Sequence, residues 1–426
     1  MARRGPSVKP GQYDSSNARG PQPVALGDTT MDGDQSPIPT REELIQRARD
    51  LAPTLQERSK KAAELRRIPD ETIEDFHRLG FFKVVQPKRF GGYEMDPSII
   101  FDLQLELGRG CASSAWVYGV LNVHSWQLAL FAPEAQDEVW GDDPKTLISS
   151  SYMPVAKTEW VDGGVKLSGR WSFSSGCDAC EWVFLGGFVP SEEGKPPDMR
   201  TFLVPRSDYE IIDNWHVSGL RGSGSKDVVV DGAFVPDHRM HKFSDGFRQE
   251  SPGNEINSSP VYKYPFGQVH VRSVSTPAVG AAFGALDSYI DFMKSKVSQA
   301  TGGKAKESFT NSVVAAEATA VLDREVLTLR RNFDEMAGYL QRGEKIPLDR
   351  RVHFRHDSAR AVRVSAEIVE QLFIACGARA AFEDHPINRH FQDVHVIRLH
   401  HANSPDTPSS NMGGVLFGKK NTDFFI

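Results

Sequence analysis

From about Thr40 onward, apolar residues return every three or four positions. Leu44, Ala48, Leu51 and Leu55 form one stripe, and Thr40 with Glu43 three residues later has the spacing of a helix capping box. A second helix fits DETIEDFHRLG, with Ile73, Phe76 and Leu79 on one face and Gly80 as its stop. FFKVVQP reads as a strand-like or irregular link, and RFGGYEMDP as a turn. Further helices are predicted from Pro97 to Gly108, from Ser113 to about Phe131, and over 133–140. At about Thr146 the period shortens to two. Val165, Leu167, Gly169 and Trp171 alternate with Lys166, Ser168 and Arg170, the pattern of a half-buried strand. Six or so such runs reach to about residue 240, which predicts an antiparallel barrel or sandwich and argues against βαβ units. After a polar stretch over 241–262, helices are predicted over 276–298, 309–340, 350–376 and 386–401. In the second of these, Ala316, Ala320, Leu322, Val326, Leu329 and Phe333 make an apolar stripe. The last stretch, SSNMGGVLFGKKNTDFFI, shows no clear helical pattern.

A chain of 426 residues is long enough for two or three packed units. Its formal charge of -6 and the lack of a basic stripe argue against nucleic acid as a partner, which leaves a small molecule or another protein. Cys177 and Cys180 form a single CxxC, and Cys111 and Cys376 complete no metal pattern, so all four read as reduced structural thiols. There is no signal peptide and no apolar run of about 18 residues. Residues 1–38, rich in Gly, Pro, Ser, Asp and Asn, are predicted to be a disordered leader, and the location a cytoplasm. GLRGSGS has the wrong glycine spacing for a dinucleotide fingerprint, and no P-loop, HExxH or nucleophile elbow is found.

Three places could carry chemistry. Trp116, Val120 and His124 lie four apart on one face of an apolar helix. SSSYMP and SFSSGCD each set several hydroxyls at a strand end. FQDVHVIRLHHANSPD brings Asp393 and His400 near one face, with His395 on another. Read alone, these equally describe a satisfied core histidine, turn-capping hydroxyls and a helix of mixed polarity.

Together with PDETIEDFHRLGFFKVVQPKRFGGYEM, CASSAWVYGVLNVHSWQLALF and LVPRSDYEIIDNWHVSGLRGSGSKDVVV, these segments resemble the oxygenase components of two-component flavin-dependent monooxygenases with the acyl-CoA dehydrogenase fold. The branches it resembles hydroxylate a 3-hydroxy-seco-steroid phenol and p-hydroxyphenylacetate. The resemblance implies an α+β fold: an N-terminal helical domain over 39–145, a central β-barrel over 146–245, a C-terminal four-helix bundle over 246–405 and a divergent tail over 406–426. It implies a homotetramer, with flavin between barrel and bundles and contacts from a neighbouring copy. A separate NAD(P)H:flavin reductase would supply reduced FMN or FAD. With O2 as co-substrate, a C4a-hydroperoxyflavin would attack the carbon ortho to a phenolic hydroxyl.

Residue by residue, the resemblance makes His124 the base for that hydroxyl and Ser150 a partner in its hydrogen bonds. It places Ser175 beside flavin N5 and Trp116 along the flavin or the ring pocket, with Ser149 among the cofactor-binding hydroxyls. His400 would stand near the reacting flavin, His395 would share its pattern, and Arg221 would support the loop beside the flavin. Two departures stand out. SSPVYKYPFGQVH lacks the arginine that binds an arylacetate carboxylate, and Lys263 is not equivalent, which favours a bulky, apolar phenol. The terminal sequence also departs from the family's, so access to the site is expected to differ. Two alternatives are an N- or S-oxygenase of the same fold and an acyl-CoA dehydrogenase. The second needs a catalytic glutamate, for which no matching context is found.

Overall fold

A computed structural model describes residues 37–191, 198–297 and 302–426. The predicted leader lies almost wholly outside them. The first helix, α1 (Arg41–Leu65), starts at the predicted capping box: Thr40 Oγ1 accepts from the Glu43 amide at 3.2 Å, and the Thr40 amide donates to Glu43 Oε2 at 2.8 Å. It buries Leu44, Ala48, Leu51 and Leu55, the predicted stripe. There follow α2 (Asp70–Arg78), α3 (Ser98–Gly110), α4 (Ala112–Leu128) and α5 (Pro133–Trp140). Helix α4 is buried on every side, which is why its sequence is apolar all round rather than striped. FFKVVQP holds a short 3₁₀ turn over Phe81–Lys83 and no strand.

Among the described residues the expected central barrel is not formed. The strands make two separate four-stranded sheets. One runs β1 (Ile148–Ser151), β4 (Trp182–Val189), β5 (Asp198–Pro205), β8 (Met240–Lys242). The other runs β2 (Lys157–Val161), β3 (Gly164–Ser174), β7 (Lys226–Pro236), β6 (Glu210–Ile212). Neither closes on itself, and β1 pairs with β4 in parallel, so the sheets are not purely antiparallel either. The sheets meet across one apolar layer that includes Leu167, Trp171 and Val228 from one side and Leu185, Phe202 and Val204 from the other. Trp171 Nε1 donates to the Gly186 carbonyl at 2.9 Å across that layer. Alternation along a strand reports one buried face. It does not distinguish a face buried inside a closed barrel from one buried against a second sheet.

After the short α6 (Phe243–Arg248), the long helices are α7 (Phe266–Ser295), α8 (Phe309–Gln341), α9 (Leu348–Cys376) and α10 (Pro386–Arg398). Helix α7 begins ten residues before its predicted start. The stretch 266–275, which carried no prediction, is buried on all sides and helical. In α8 the stripe is sound from Leu322 through Leu329 and Phe333, but Ala316 and Ala320 face water. The tail, expected to be irregular, contains α11 (Asp406–Leu416). Its Asn411 side chain donates to Asn421 Oδ1 at 2.8 Å and accepts from the Thr422 amide at 2.8 Å, tying the helix to the segment after it. All four cysteines are buried free thiols.

Candidate active site

One cavity of about 1970 Å3 lies where α4, β1, α7 and the end of α10 meet, and Trp116, Val120 and His124 all line it. The four-residue spacing therefore marks the face of α4 turned to this space. His124 is 2% exposed. Its Nδ1 lies 2.6 Å from the Ile148 carbonyl, and its Nε2 lies 2.7 Å from Ser150 Oγ. A carbonyl can only accept, so the ring proton sits on Nδ1, and the Nε2 lone pair accepts the Ser150 hydroxyl. Burial pushes the His124 pKa down to about 4, against the opposing pull of the Ile148 carbonyl. The ring is thus a neutral base at ordinary pH. Ser150 keeps lone pairs for another donor. Beside it Tyr152 donates to Gln127 Oε1, and its ring stands edge-on to His124 at 6.2 Å.

A second polar group faces the same space. Trp116 Nε1 donates to Ser175 Oγ at 2.9 Å, Ser175 shares a hydrogen bond with Ser225 at 2.7 Å, and Ser225 with Ser223 at 2.7 Å. An irregularity in β3 sets this up. Between Trp171 and Ser174 the pairing with β7 slips, Phe173 takes φ 69 and is 61% exposed, and Ser174 turns inward. Without the slip, alternation would bury Phe173 and turn Ser174 outward. Ser174 instead donates to Ser149 Oγ at 3.1 Å, and Ser175 is delivered to the cavity.

His400 also lines the cavity, half-buried, with its ring 5.6 Å from that of Trp116. Its Nδ1 accepts from the Ala402 amide at 3.2 Å, so the neutral ring carries its proton on Nε2. Burial, then neighbouring His401 and Arg355, lower its pKa to about 4. The site therefore gathers His124, Ser150, Ser175, Trp116 and His400. Three predicted residues are not brought to the cavity. Ser149 is fully buried on the other face of β1, bonded to Ser174. Arg221 is exposed on the 3₁₀ turn Arg221–Ser223. His395 lies outside the cavity with its ring tilted against Phe391 at 4.2 Å, and its Nδ1 bonds the Phe391 carbonyl at 2.8 Å. Asp393, from the same motif, is buried and accepts from the Leu220 amide at 2.6 Å, fastening the loop that carries Ser223 and Ser225 to α10.

Sequence reasoning missed two contributors. His270, on the start of α7 that carried no prediction, lines the cavity with its ring 6.4 Å from that of His400. Phe424 and Phe425, from the tail, also line it. That tail is held by a buried clasp: Arg355 Nε lies 3.3 Å from Asp423 Oδ2, and Arg351 donates to the main-chain oxygens of Phe247 and Ile426.

The cavity is roughly twice the upper end of the usual ligand-pocket range of about 1,000 Å3. It has room for a tricyclic cofactor beside a substrate. The hydroxyls of Ser175 and Ser225 next to the Trp116 indole suit the mixed polar and aromatic edge of a flavin ring, so the residues present fit that group.

Comparison with known proteins agrees with this architecture. Residues 39–143 match the acyl-CoA dehydrogenase N-terminal domain family, and residues 273–405 match the acyl-CoA dehydrogenase C-terminal domain family. The chain is 39% identical over 383 residues to the flavin-dependent monooxygenase oxygenase subunit HsaA of Rhodococcus jostii, covering 90% of this chain and 100% of that one. It is 40% identical over 370 residues to the HsaA subunit of Mycobacterium tuberculosis, covering 87% and 94%. The crystal structure of 3-HSA hydroxylase from Rhodococcus superposes with a TM-score of 0.86 at 39% identity, over 90% of this chain and 99% of that one.

Proposed function

The chain belongs to the oxygenase components of two-component flavin-dependent monooxygenases of the acyl-CoA dehydrogenase fold, and from that premise we propose that it hydroxylates a bulky, apolar phenol ortho to its hydroxyl. It is an oxidoreductase that uses reduced flavin and O2 on a phenolic or aromatic substrate, and a separate reductase supplies the flavin. When bound, reduced flavin supplies two electrons and, with one O2, the oxygen atom that enters the ring, the other leaving as water.

This chain's part is to place the ring, make it a nucleophile and keep water out. A phenol has a pKa of about 10. Its hydroxyl donates to Ser150 Oγ while Ser150 donates to His124 Nε2, and the protons shift along this relay as the ortho carbon attacks and the hydroxyl turns strongly acidic, because a ring whose pKa burial holds at about 4 does not take the proton beforehand. The Ile148 carbonyl holds the imidazole in the one tautomer that can do this. Val120 and Val274, both buried, line the space and keep it apolar. Trp116, Ser175 and Ser225 would hold the flavin ring, and His400 would place its Nε2 proton beside it. Arg221 and His395 lie outside the cavity and would reach flavin only on a neighbouring copy. We read the protein as a cytoplasmic homotetramer. Among the described residues no helix is long and apolar enough to cross a membrane, and the C-terminal helices leave Ile374, Leu416 and Phe417 largely in water.

The observation that carries the reading is the buried His124, fixed by a carbonyl on one side and open to a serine hydroxyl on the other. The test mixes the protein anaerobically with photoreduced FMN or FAD, then with 18O2 and a panel of phenols. Catechols with one labelled oxygen are expected, with bulky phenols turned over best. N-oxides or sulfoxides from amines or thioethers, with no catechol, would move the site to the alternative oxygenase chemistry.

A further inference from the structure

Ser150 and Tyr152 stand two apart where β1 ends, and both line the cavity, while His124 and Gln127 stand three apart on α4. A spacing of two on a strand and of three on a helix each sets side chains on one side, so two pairs face each other. His124 meets Ser150 and carries the chemistry above. Gln127 meets Tyr152 and has no part in it. Gln127 is 1% exposed, and its Oε1 accepts the Tyr152 hydroxyl. An apolar side chain would fill that space without the cost of desolvating an amide. Tyr152 itself has little freedom to withdraw. Its backbone is seated on β4, where a Cβ on Gly186 would fall 2.6 Å from the Tyr152 carbonyl oxygen.

What the amide does follows from what Tyr152 is. Its side chain is a phenol, with the same ordinary pKa of about 10 as a phenolic substrate. It reaches the Ser150 hydroxyl as well as Gln127, and burial pushes its pKa up, so it keeps its proton. Left free, that O–H would donate to Ser150 Oγ as readily as a substrate does, and would occupy the lone pair the substrate needs. A carbonyl oxygen can only accept, so Gln127 takes the Tyr152 proton and leaves Tyr152 Oη with lone pairs alone to offer Ser150. Toward Ser150, His124 Nε2 and Tyr152 Oη are then both acceptors. We propose that Gln127 is a positioning residue that holds the Tyr152 proton away from Ser150, so that the donor Ser150 receives is the substrate hydroxyl. This rests on the phenol reading given above and deepens it. Helix α4 supplies the base and, one turn on, the group that stops an internal phenol from imitating the substrate.

The test follows turnover of a phenol that the wild type hydroxylates, with reduced FMN and 18O2, from about pH 7 to 9.5. It compares the full-length wild type with Gln127→Met, Tyr152→Phe and the double variant. Gln127→Met nearly keeps the volume and removes the acceptor. Its turnover number is expected to fall about tenfold at pH 7, the effect of one misdirected hydrogen bond. The gap should narrow toward pH 9.5, where the phenol increasingly ionises unaided. Tyr152→Phe should lose less than Gln127→Met. Added to Gln127→Met it should recover several-fold of the lost rate, because the competing donor is gone. Should Gln127→Met not fold, Gln127→Asn, one methylene too short to reach Tyr152, is expected to show the same loss and the same recovery. Losses that simply add in the double variant, or a deficit equal at both ends of the pH range, would reduce Gln127 to packing. A wild type that hydroxylates no phenol overturns the phenol reading and this role together. Labelled catechol from the wild type with no recovery in the double variant overturns this role alone.

Discussion

At the scale of single residues, the site depends on which nitrogen of which imidazole carries a proton. His124→Ala removes the acceptor for the Ser150 proton, so the phenol must ionise unaided. The turnover number at neutral pH should fall by about 10²- to 10⁴-fold, the usual range for a general base, and should climb as pH approaches the phenol's own pKa. A variant whose loss is the same at pH 7 and pH 9.5 would show that His124 does not act as the base. Ser175→Ala strips the acceptor from a buried indole N–H, a cost of about 1–3 kcal/mol in urea unfolding, and should also weaken flavin retention. His124 and Trp116 were legible in the sequence because a four-residue spacing on a wholly apolar helix has few explanations. Ser149 was not separable from Ser150, because SSS carries no pattern and only the strand's position decides which hydroxyl faces the cavity. His270 was hidden because a helix buried on all sides shows no apolar stripe by which to read its start.

Among elements, the sequence read helices better than the way strands associate. Boundaries of α4, α5, α8 and α9 came within a few residues because capping signals and period are local. Whether strands close into a barrel depends on pairing between distant segments, which local alternation does not encode. The slip in β3 that presents Ser175 is equally non-local, since it is defined against β7. The tail lacked a readable stripe because its helix buries only Pro408 and Asn411. Its final segment is nevertheless seated. A Cβ on Gly267 would fall inside contact distance of the Phe425 backbone, so that backbone lies directly on α7. Gly267→Ala should therefore lift Phe425 from the cavity wall and admit water. The ratio of hydroxylated product to O2 consumed is expected to fall severalfold, and the KM for phenol to rise, with the protein still folded by circular dichroism. Unchanged coupling in this variant would show that the tail does not seal the site.

For the whole molecule, the same burial that keeps the imidazoles neutral makes the fold sensitive to acid. Burial is the first cause that depresses His124, His241 and His400 to about 4, and it holds His270 and His390 well below their ordinary value. In the unfolded chain each returns to about 6.5. Between pH 6.5 and 4 the unfolded state therefore takes up protons that the folded state refuses. Stability is full above pH 6.5 and declines as pH falls, by about 1.4 kcal/mol per pH unit for each such group. Asp393 acts in the opposite sense. Burial raises its pKa to about 6, so the folded state keeps a proton that the unfolded state has lost, a contribution favourable in acid that disappears as pH rises through 6. One carboxyl does not offset five histidines. The midpoint of thermal unfolding should be nearly level from pH 8 to 7 and then drop steeply from 6.5 toward 4. Since His124 itself stays neutral over that range, the acid limb of activity should follow this loss of folded protein and show no separate step near pH 6.5. Scanning calorimetry and initial rates in the same buffers decide it. A melting temperature that stays level down to pH 5 would mean that these rings are less buried, or better partnered, than the packing around the cavity requires.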